Sequence, residues 1–217
     1  MTIAERKAVM KKELIKLFLN YGYNNVTFIG IDRSLTSTGI AIIHKGKFVK
    51  QMEFSTKEIE EMRLIEIGRC IVKECKNYEL PLICMEDYSF DKPYQAHQLG
   101  ELGGVVKAFL RLKGYPYLST SPGTIKKYVS GKGNTPKDLI PMFVSKKFKI
   151  EPMGGDAADA IACVHLAYNA FAYKSGNHNY TQKEKEAFDA LMSTDPERPK
   201  RKSTRRKNAQ LGLQIRE

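Results

Sequence analysis

The chain has no apolar run approaching the roughly 18 residues that a membrane-spanning helix requires. Its opening stretch, MTIAERKAVMKKELIKLFLN, interleaves acids and bases where a secretory signal would need an unbroken apolar core. No lipid-anchor motif and no internal repeat is present. Cysteine is scarce: Cys70, Cys75, Cys84 and Cys163 are the whole complement. Their spacing gives neither a C-x-x-C zinc site nor a secreted disulfide framework. Cys84 and Cys163 fall in apolar runs and are expected as buried free thiols. Acids are outnumbered, 24 Asp and Glu against 36 Lys and Arg. These absences exclude a membrane protein and a disulfide-built secreted module, and the expectation is a soluble protein that stays inside a cell.

What is present is an ordinary globular composition, with 42% hydrophobic and 28% charged residues. A length of 217 residues suits one domain with extensions. The net charge of +12 is concentrated at the ends. Residues 194–217 hold eight basic and three acidic side chains, and residues 1–25 hold five and two. Basic ends suit a polyanionic partner, and nucleic acid fits better than a membrane surface because no anchor accompanies the charge. Charge excess alone serves solubility equally well, so a partner has to be argued from chemistry.

Residues 1–23 read as an amphipathic helix with Met10, Leu14, Leu17 and Phe18 on one side, ended by Asn24-Asn25. Three β-type runs follow at 26–31, 39–44 and 48–54, with a glycine turn between the last two, as in a meander. Residues 58–76 place Leu64, Ile67, Ile71 and Cys75 on one helical face. The wholly apolar run 80–85 predicts a buried central strand. Residues 96–112 form a helix with Leu99, Leu102, Val106 and Phe109 in phase. Gly100, Gly103 and Gly104 cost that helix about 1 kcal/mol each, which close packing or a helix–helix dimer contact would explain. A strand is expected at 115–119. A helix is expected at 136–148, with Thr135 as cap, Pro136 in first position, Asp138 completing a capping box and Pro141 kinking it. Gly154-Gly155 precede a long helix over 156–173, and Thr181 with Glu184 opens a short final one. The order β-β-β-α-β-α-β-α predicts an α/β fold, a mixed sheet flanked by helices. The domain reading is a helical extension at 1–25, a main domain at 26–175, a short helix within 176–193 and a disordered basic tail at 194–217.

Four acids stand out. Asp32 closes the apolar run FIGI and opens the polar loop DRSLTSTG, and Glu86 closes the run PLICM. Strand ends of open α/β sheets gather reactive side chains. Asp156 and Asp159, three apart at a helix start, share a face, although acids favour helix N-termini without any functional reason. The predicted order brings two adjacent strand ends and one helix start around one pocket. Converging carboxylates repel unless cations lie between them, and hard oxygen donors suit Mg²⁺ or Mn²⁺. Two such ions clamp the attacking and leaving oxygens of a phosphodiester displacement. A basic protein with this cluster reads as a metal-dependent nuclease.

The segments GIDRSLTSTGIAI, CMEDYSF and GGDAADAIACVHLA, in this order and spacing, resemble the RuvC family of Holliday junction resolvases. The resemblance covers residues 26–173, and its last segment is the most specific. It implies an RNase H-like fold, two divalent ions (Mg²⁺ or Mn²⁺) and metal-binding roles for Asp32, Glu86, Asp156 and Asp159. The stretch SPGTIKKYVSGKGNTPKDLI is similar to the family's lysine-bearing loop. The resemblance makes Lys137 the residue that contacts or polarises the scissile phosphate, with Lys126, Lys127 and Lys132 as DNA contacts. Gly131 and Gly133 permit close backbone approach to a phosphate. The family's wedge aromatic lies three residues after the glutamate. Here Ser89 holds that position, flanked by Tyr88 and Phe90, which become the candidate stacking residues. The N-terminal helix and basic tail are additions to the family pattern, of a kind common in bacteriophage members. The resemblance implies a branched-DNA partner, a homodimer, no small-molecule cofactor, no membrane, and a cytoplasmic location (the host's cytoplasm if the source is viral).

Three other readings compete. A nuclease of the same fold with broader fork and flap substrates shares every residue named. The segment GIDRSLTSTGIAI also resembles the phosphate loop of actin-like kinases and ATPases, but no second phosphate loop follows and such proteins are normally longer. A non-catalytic junction scaffold would be signalled by loss of an acid, and all four are present.

Overall fold

Alternation along the strands decides this fold. In the computed structural model, which describes residues 1–87 and 96–194, five strands are ordered β3-β2-β1-β4-β5. They are β1 (Thr27–Asp32), β2 (Thr38–His44), β3 (Lys47–Phe54), β4 (Pro81–Glu86) and β5 (Tyr117–Thr120). β1, β2 and β3 pair antiparallel, and β1–β4 and β4–β5 pair parallel. Phe28, Ala41, Ile43, Leu82, Cys84 and Leu118 face one core, while Ile29, Ile31, Ile40, Ile42, Ile83 and Met85 face the other. Both faces are covered, which is why β1 and β4 read as unbroken apolar runs.

The helices are α1 (Ile3–Tyr21), α2 (Glu60–Cys75), α3 (Ala96–Leu112), α4 (Pro122–Ser130), α5 (Ile140–Phe148), α6 (Gly155–Lys174) and α7 (Gln182–Met192). α2 and α3 cover one face through Ile67, Ile71, Leu102, Val106 and Leu110. α6 lies on the other, hydrophobic on nearly every side, with α1, α4, α5 and α7 around it. Glycines let α6 press on the sheet. A Cβ at Gly30 would stand 2.2 Å from the Ala160 carbonyl oxygen, and one at Gly39 would stand 1.9 Å from that of Asp156.

The mixed α/β sheet with flanking helices is as predicted, and several local expectations are corrected. Residues 122–130, read as a lysine-bearing loop, form α4, capped by the Ser121 hydroxyl on the Thr124 N–H with Pro122 in the first turn. The helix expected from residue 136 begins at Ile140, preceded by a 3₁₀ turn at Lys137–Leu139. Thr135 therefore caps nothing. Its hydroxyl instead bonds Ser130 Oγ and the Lys132 carbonyl, and no capping box forms with Asp138. Pro141 lies in the first turn of α5, where a missing N–H costs nothing, so it makes no kink. On α1, Phe18 is buried with Leu14, Ile15 and Leu19 packed beside it, whereas Met10 and Leu17 are exposed. The core-facing stripe is rotated from the predicted one. The capping boxes Thr2/Glu5 and Thr181/Glu184 follow the local sequence.

Candidate active site

The period-two rule aims the first two acids. Phe28 and Gly30 face α6, so Asp32 does too; Leu82 and Cys84 face α6, so Glu86 follows. Parallel pairing of β1 with β4 sets Ile31 opposite Met85, which leaves the two acids at neighbouring C-terminal strand ends. The N-terminus of α6 delivers Asp156 and Asp159 to the same place, over Gly39. Asp32 and Asp159 are buried, at 6% and 5% exposure.

Lys137 projects from the 3₁₀ turn into this group. Its Nζ lies 3.4 Å from Asp32 Oδ2, 3.2 Å from Asp156 Oδ1 and 3.2 Å from Asp159 Oδ2. Burial pulls the ammonium's pKa down, but these three carboxylates outweigh it and hold the group charged well above the usual lysine range. Asp32 is pushed up to about 7, first by burial and then by Asp159 and Asp156, against the pull of Lys137. Glu86 is pushed up to about 9, first by burial and then by the charges of Asp32 and Asp159, with Lys137 and Lys126 opposing. Asp159 is raised as well, chiefly by burial. Lys137 and Lys126 together under-compensate the four carboxylates.

Of the other lysines named from sequence, Lys126 is close enough to act on Glu86 and Asp159. Lys127 points elsewhere on α4 and is ion-paired with Glu186 of α7. Lys132 is exposed in the turn between Gly131 and Gly133, its N–H donating to Ser130 Oγ. Tyr88 and Phe90 lie outside the described residues, as does the basic tail beyond residue 194.

Sequence reasoning missed Arg33. Its side chain is 4% exposed, Nη2 donates to the Glu86 carbonyl at 2.6 Å and stands 3.7 Å from Asp87 Oδ1. A Cβ at Gly103 would stand 2.6 Å from Arg33 Nη1, so this glycine of α3 makes room for the guanidinium. Among the described residues, nothing lies within 4 Å of such a Cβ at Gly100 or Gly104. Glu53 of β3 was also missed. Its Oε1 accepts from the Ala157 N–H at 2.9 Å, a bond spanning 104 residues that no local pattern announces.

The donor set suits hard divalent cations: carboxylate oxygens already share one cation, and burial together with mutual repulsion raises the pKa of two of the acids to about 7 and about 9. Among the described residues the oxygens stand around the ammonium rather than gathered at metal-ligand distance from one point. No helix among these residues is long and apolar enough to cross a membrane.

Comparison with known proteins identifies the family. The profile of the family described as crossover junction endodeoxyribonuclease RuvC matches residues 28–166. The chain is 29% identical over 156 residues to the RuvC of Carboxydothermus hydrogenoformans, covering 68% of this chain and 97% of the relative. It is 27% identical over 176 residues to that of Paenarthrobacter aurescens, covering 75% and 93%. Thermus thermophilus RuvC shares the fold at a TM-score of 0.56 and 20% identity, covering 69% of this chain and 96% of that one. The same protein, solved in complex with Holliday junction substrate, gives a TM-score of 0.56 at 18% identity, covering 70% and 96%. The acids at two parallel strand ends and a helix start fall inside the matched span, and the chain belongs to the RuvC family of crossover junction endodeoxyribonucleases, a family of metal-dependent nucleases.

Proposed function

We propose that this protein resolves four-way DNA junctions by paired nicks, hydrolysing phosphodiesters with Asp32, Glu86, Asp156 and Asp159 holding two Mg²⁺ or Mn²⁺ ions. The observation that carries the reading is the convergence of three of these carboxylates on one cation, Lys137, beside a fourth acid kept protonated by burial and by its neighbours' charge. The ions, when bound, stabilise the attacking and leaving oxygens of the displacement. The chain itself does the rest. Lys137, with its side chain 58% exposed, reaches from the acids toward solvent and supplies a positive charge to the scissile phosphate. Lys126 and the exposed Lys132 hold the flanking backbone, and Gly131 lets the turn approach it closely. Tyr88 or Phe90 stacks on bases at the junction. A homodimer would present two such sites to a substrate of matching symmetry, and the open faces of Gly100 and Gly104 on α3 are the candidate contact.

The test uses synthetic four-way junctions, forks, flaps and linear duplex, each with Mg²⁺ and with EDTA. Paired nicks confined to the junction and abolished by EDTA are expected. Asp32→Asn and Glu86→Gln should lose about 10²–10³-fold in cleavage rate, as removal of a key charge-stabilising group commonly does, while still binding the junction. Equal cutting of forks and flaps would replace the substrate assignment, and cutting in EDTA would overturn the mechanism.

A further inference from the structure

We infer that Glu53 is a positioning residue for the acid cluster: from the edge strand it seats the first turn of α6 and so fixes Asp156 and Asp159 against Asp32. The inference rests on the reading of these acids as metal-holding groups.

One cross-strand row carries the argument. Asp32 of β1 pairs with Gly39 of β2, and Gly39 pairs with Glu53 of β3. Residues directly opposite in a sheet point to the same face, so all three members of the row face α6. Each does a different thing there. Asp32 contributes a carboxylate to the cluster. Gly39 contributes empty space, which the backbone of Asp156 and Ala157 fills; a Cβ there would stand 1.9 Å from the Asp156 carbonyl oxygen and 2.9 Å from the Ala157 nitrogen. Glu53 contributes an acceptor for the Ala157 N–H at 2.9 Å.

That bond fills a gap in α6 itself. The N-cap position of α6 is Gly154, which has no side chain, and no side-chain cap is made from it. α1, α4 and α7 are capped by Thr2, Ser121 and Thr181 from their own sequence. In α6 the N–H that a local cap would take, three positions beyond Gly154, is taken by Glu53 instead. A carboxylate is the stronger choice for this place, since it also meets the positive end of the helix dipole. Gly154 is bound into the same contact: a Cβ on it would stand 2.2 Å from Glu53 Oε1. Two residues earlier on β3, Gln51 faces the same way and holds the approach to the helix with both ends of its amide. Nε2 donates to the Glu151 carbonyl at 2.8 Å, and Oε1 accepts from the Met153 N–H at 3.0 Å. β3 thus grips residues 151–157 at three points, and the two acids of α6 ride on the gripped segment.

The test measures cleavage of a four-way junction against Mg²⁺ concentration, binding of Mn²⁺ by paramagnetic resonance, and exchange of the Ala157 amide, in the full-length chain. Glu53→Ala should raise the Mg²⁺ needed for half-maximal cleavage about tenfold, weaken Mn²⁺ binding similarly and speed Ala157 exchange, with junction binding in EDTA unchanged. Glu53→Gln, whose amide oxygen accepts the same bond, should recover most of the loss. Gly154→Ala reaches the contact by a second route and serves where Glu53→Ala does not fold. It should shift the metal dependence alone, and add nothing in the double variant, where the added methyl has room. A wild-type metal dependence in a folded Glu53→Ala protein overturns the inference. So does a Glu53→Gln protein as impaired as Glu53→Ala, which would make the charge itself the requirement. A wild-type protein that cuts nothing with any metal overturns the functional reading instead, and Mn²⁺ binding then still tests the seat.

Discussion

Asp32 and Glu86 show how differently two neighbouring acids bear on stability. An aspartate titrates near 4 in an unfolded chain, whereas burial and its neighbours hold Asp32 up to about 7. Across that window the folded protein binds more protons than the unfolded one, so the group's contribution falls as pH rises from about 4 to 7 and stays lost above. Asp32→Asn removes that burden. We expect it to raise the melting temperature of the metal-free protein at pH 8 by several degrees, at roughly 2–4 °C per kcal/mol for a chain of this size, while sharply lowering cleavage. Glu86, pushed up to about 9, already carries its proton at neutral pH, so Glu86→Gln should leave the metal-free melting temperature within about 2 °C at pH 7. Mg²⁺ should stabilise the wild type and neither variant, by linkage of binding to folding. Scanning calorimetry with Mg²⁺ and with EDTA checks all of these, and a large fall in the metal-free Asp32→Asn protein would contradict the electrostatic account.

α4 separates two adjacent lysines by function. Lys126 faces Glu86 and Asp159, whereas Lys127 ties the helix to Glu186 of α7. Lys126→Ala should weaken junction binding and lower the slope of log affinity against log salt by about 1. Lys127→Ala should leave that slope unchanged and cost little stability, as exposed ion pairs do. Fluorescence anisotropy over a salt series decides between them. From sequence the two lysines looked equivalent, because their segment read as a loop and only a helix assigns its residues to faces. The strands were easier to read. Apolar runs closed by an acid survive in β1 and β4 because both sheet faces are covered, and Asp32 and Glu86 were legible for that reason. Asp156 and Asp159 were legible through their helix spacing. Arg33 and Glu53 were not, since their partners lie on other strands and helices and leave no periodicity behind. The Thr135 capping box failed for a related cause: the residues were right for a cap, but a polar turn from Ser130 had already engaged the hydroxyl.

For the molecule as a whole, acid and salt are the informative variables. His165 of α6 is stacked on Phe148 at 4.0 Å between near-parallel rings, with Phe48 also ring-parallel at 6.1 Å, and its buried Nε2 has no hydrogen-bond partner among the described residues. Burial, with Lys147 adding to it, lowers the imidazole to about 4. The folded state therefore favours the neutral ring. That advantage is complete above the unfolded value near 6.5 and is lost as pH falls toward 4, by about 2 kcal/mol at pH 5. Urea unfolding at pH 7.5 and pH 5 measures the loss, and His165→Phe should abolish this part of it. The tail is expected to act through the ionic atmosphere of DNA. Residues 194–217 carry a net charge of +5, and cutting the chain after Ser193 should weaken junction binding and flatten its salt dependence. Identical slopes with and without the tail would assign those charges to solubility.

Gly30 has no functional group and stands three residues from the turn that opens after β1, yet its missing Cβ is what allows the Ala160 carbonyl and Val164 to lie against the sheet. A methyl group there cannot be absorbed by a rotamer change, because what it meets is helix backbone. Accommodating it means displacing α6, and Asp159 would move relative to Asp32 by the same rigid shift. A genetic screen scored on junction cutting would therefore return Gly30 and Gly39 beside the acids themselves. The tolerated sequence variation of this enzyme is bounded by two empty spaces in its sheet as firmly as by its charges.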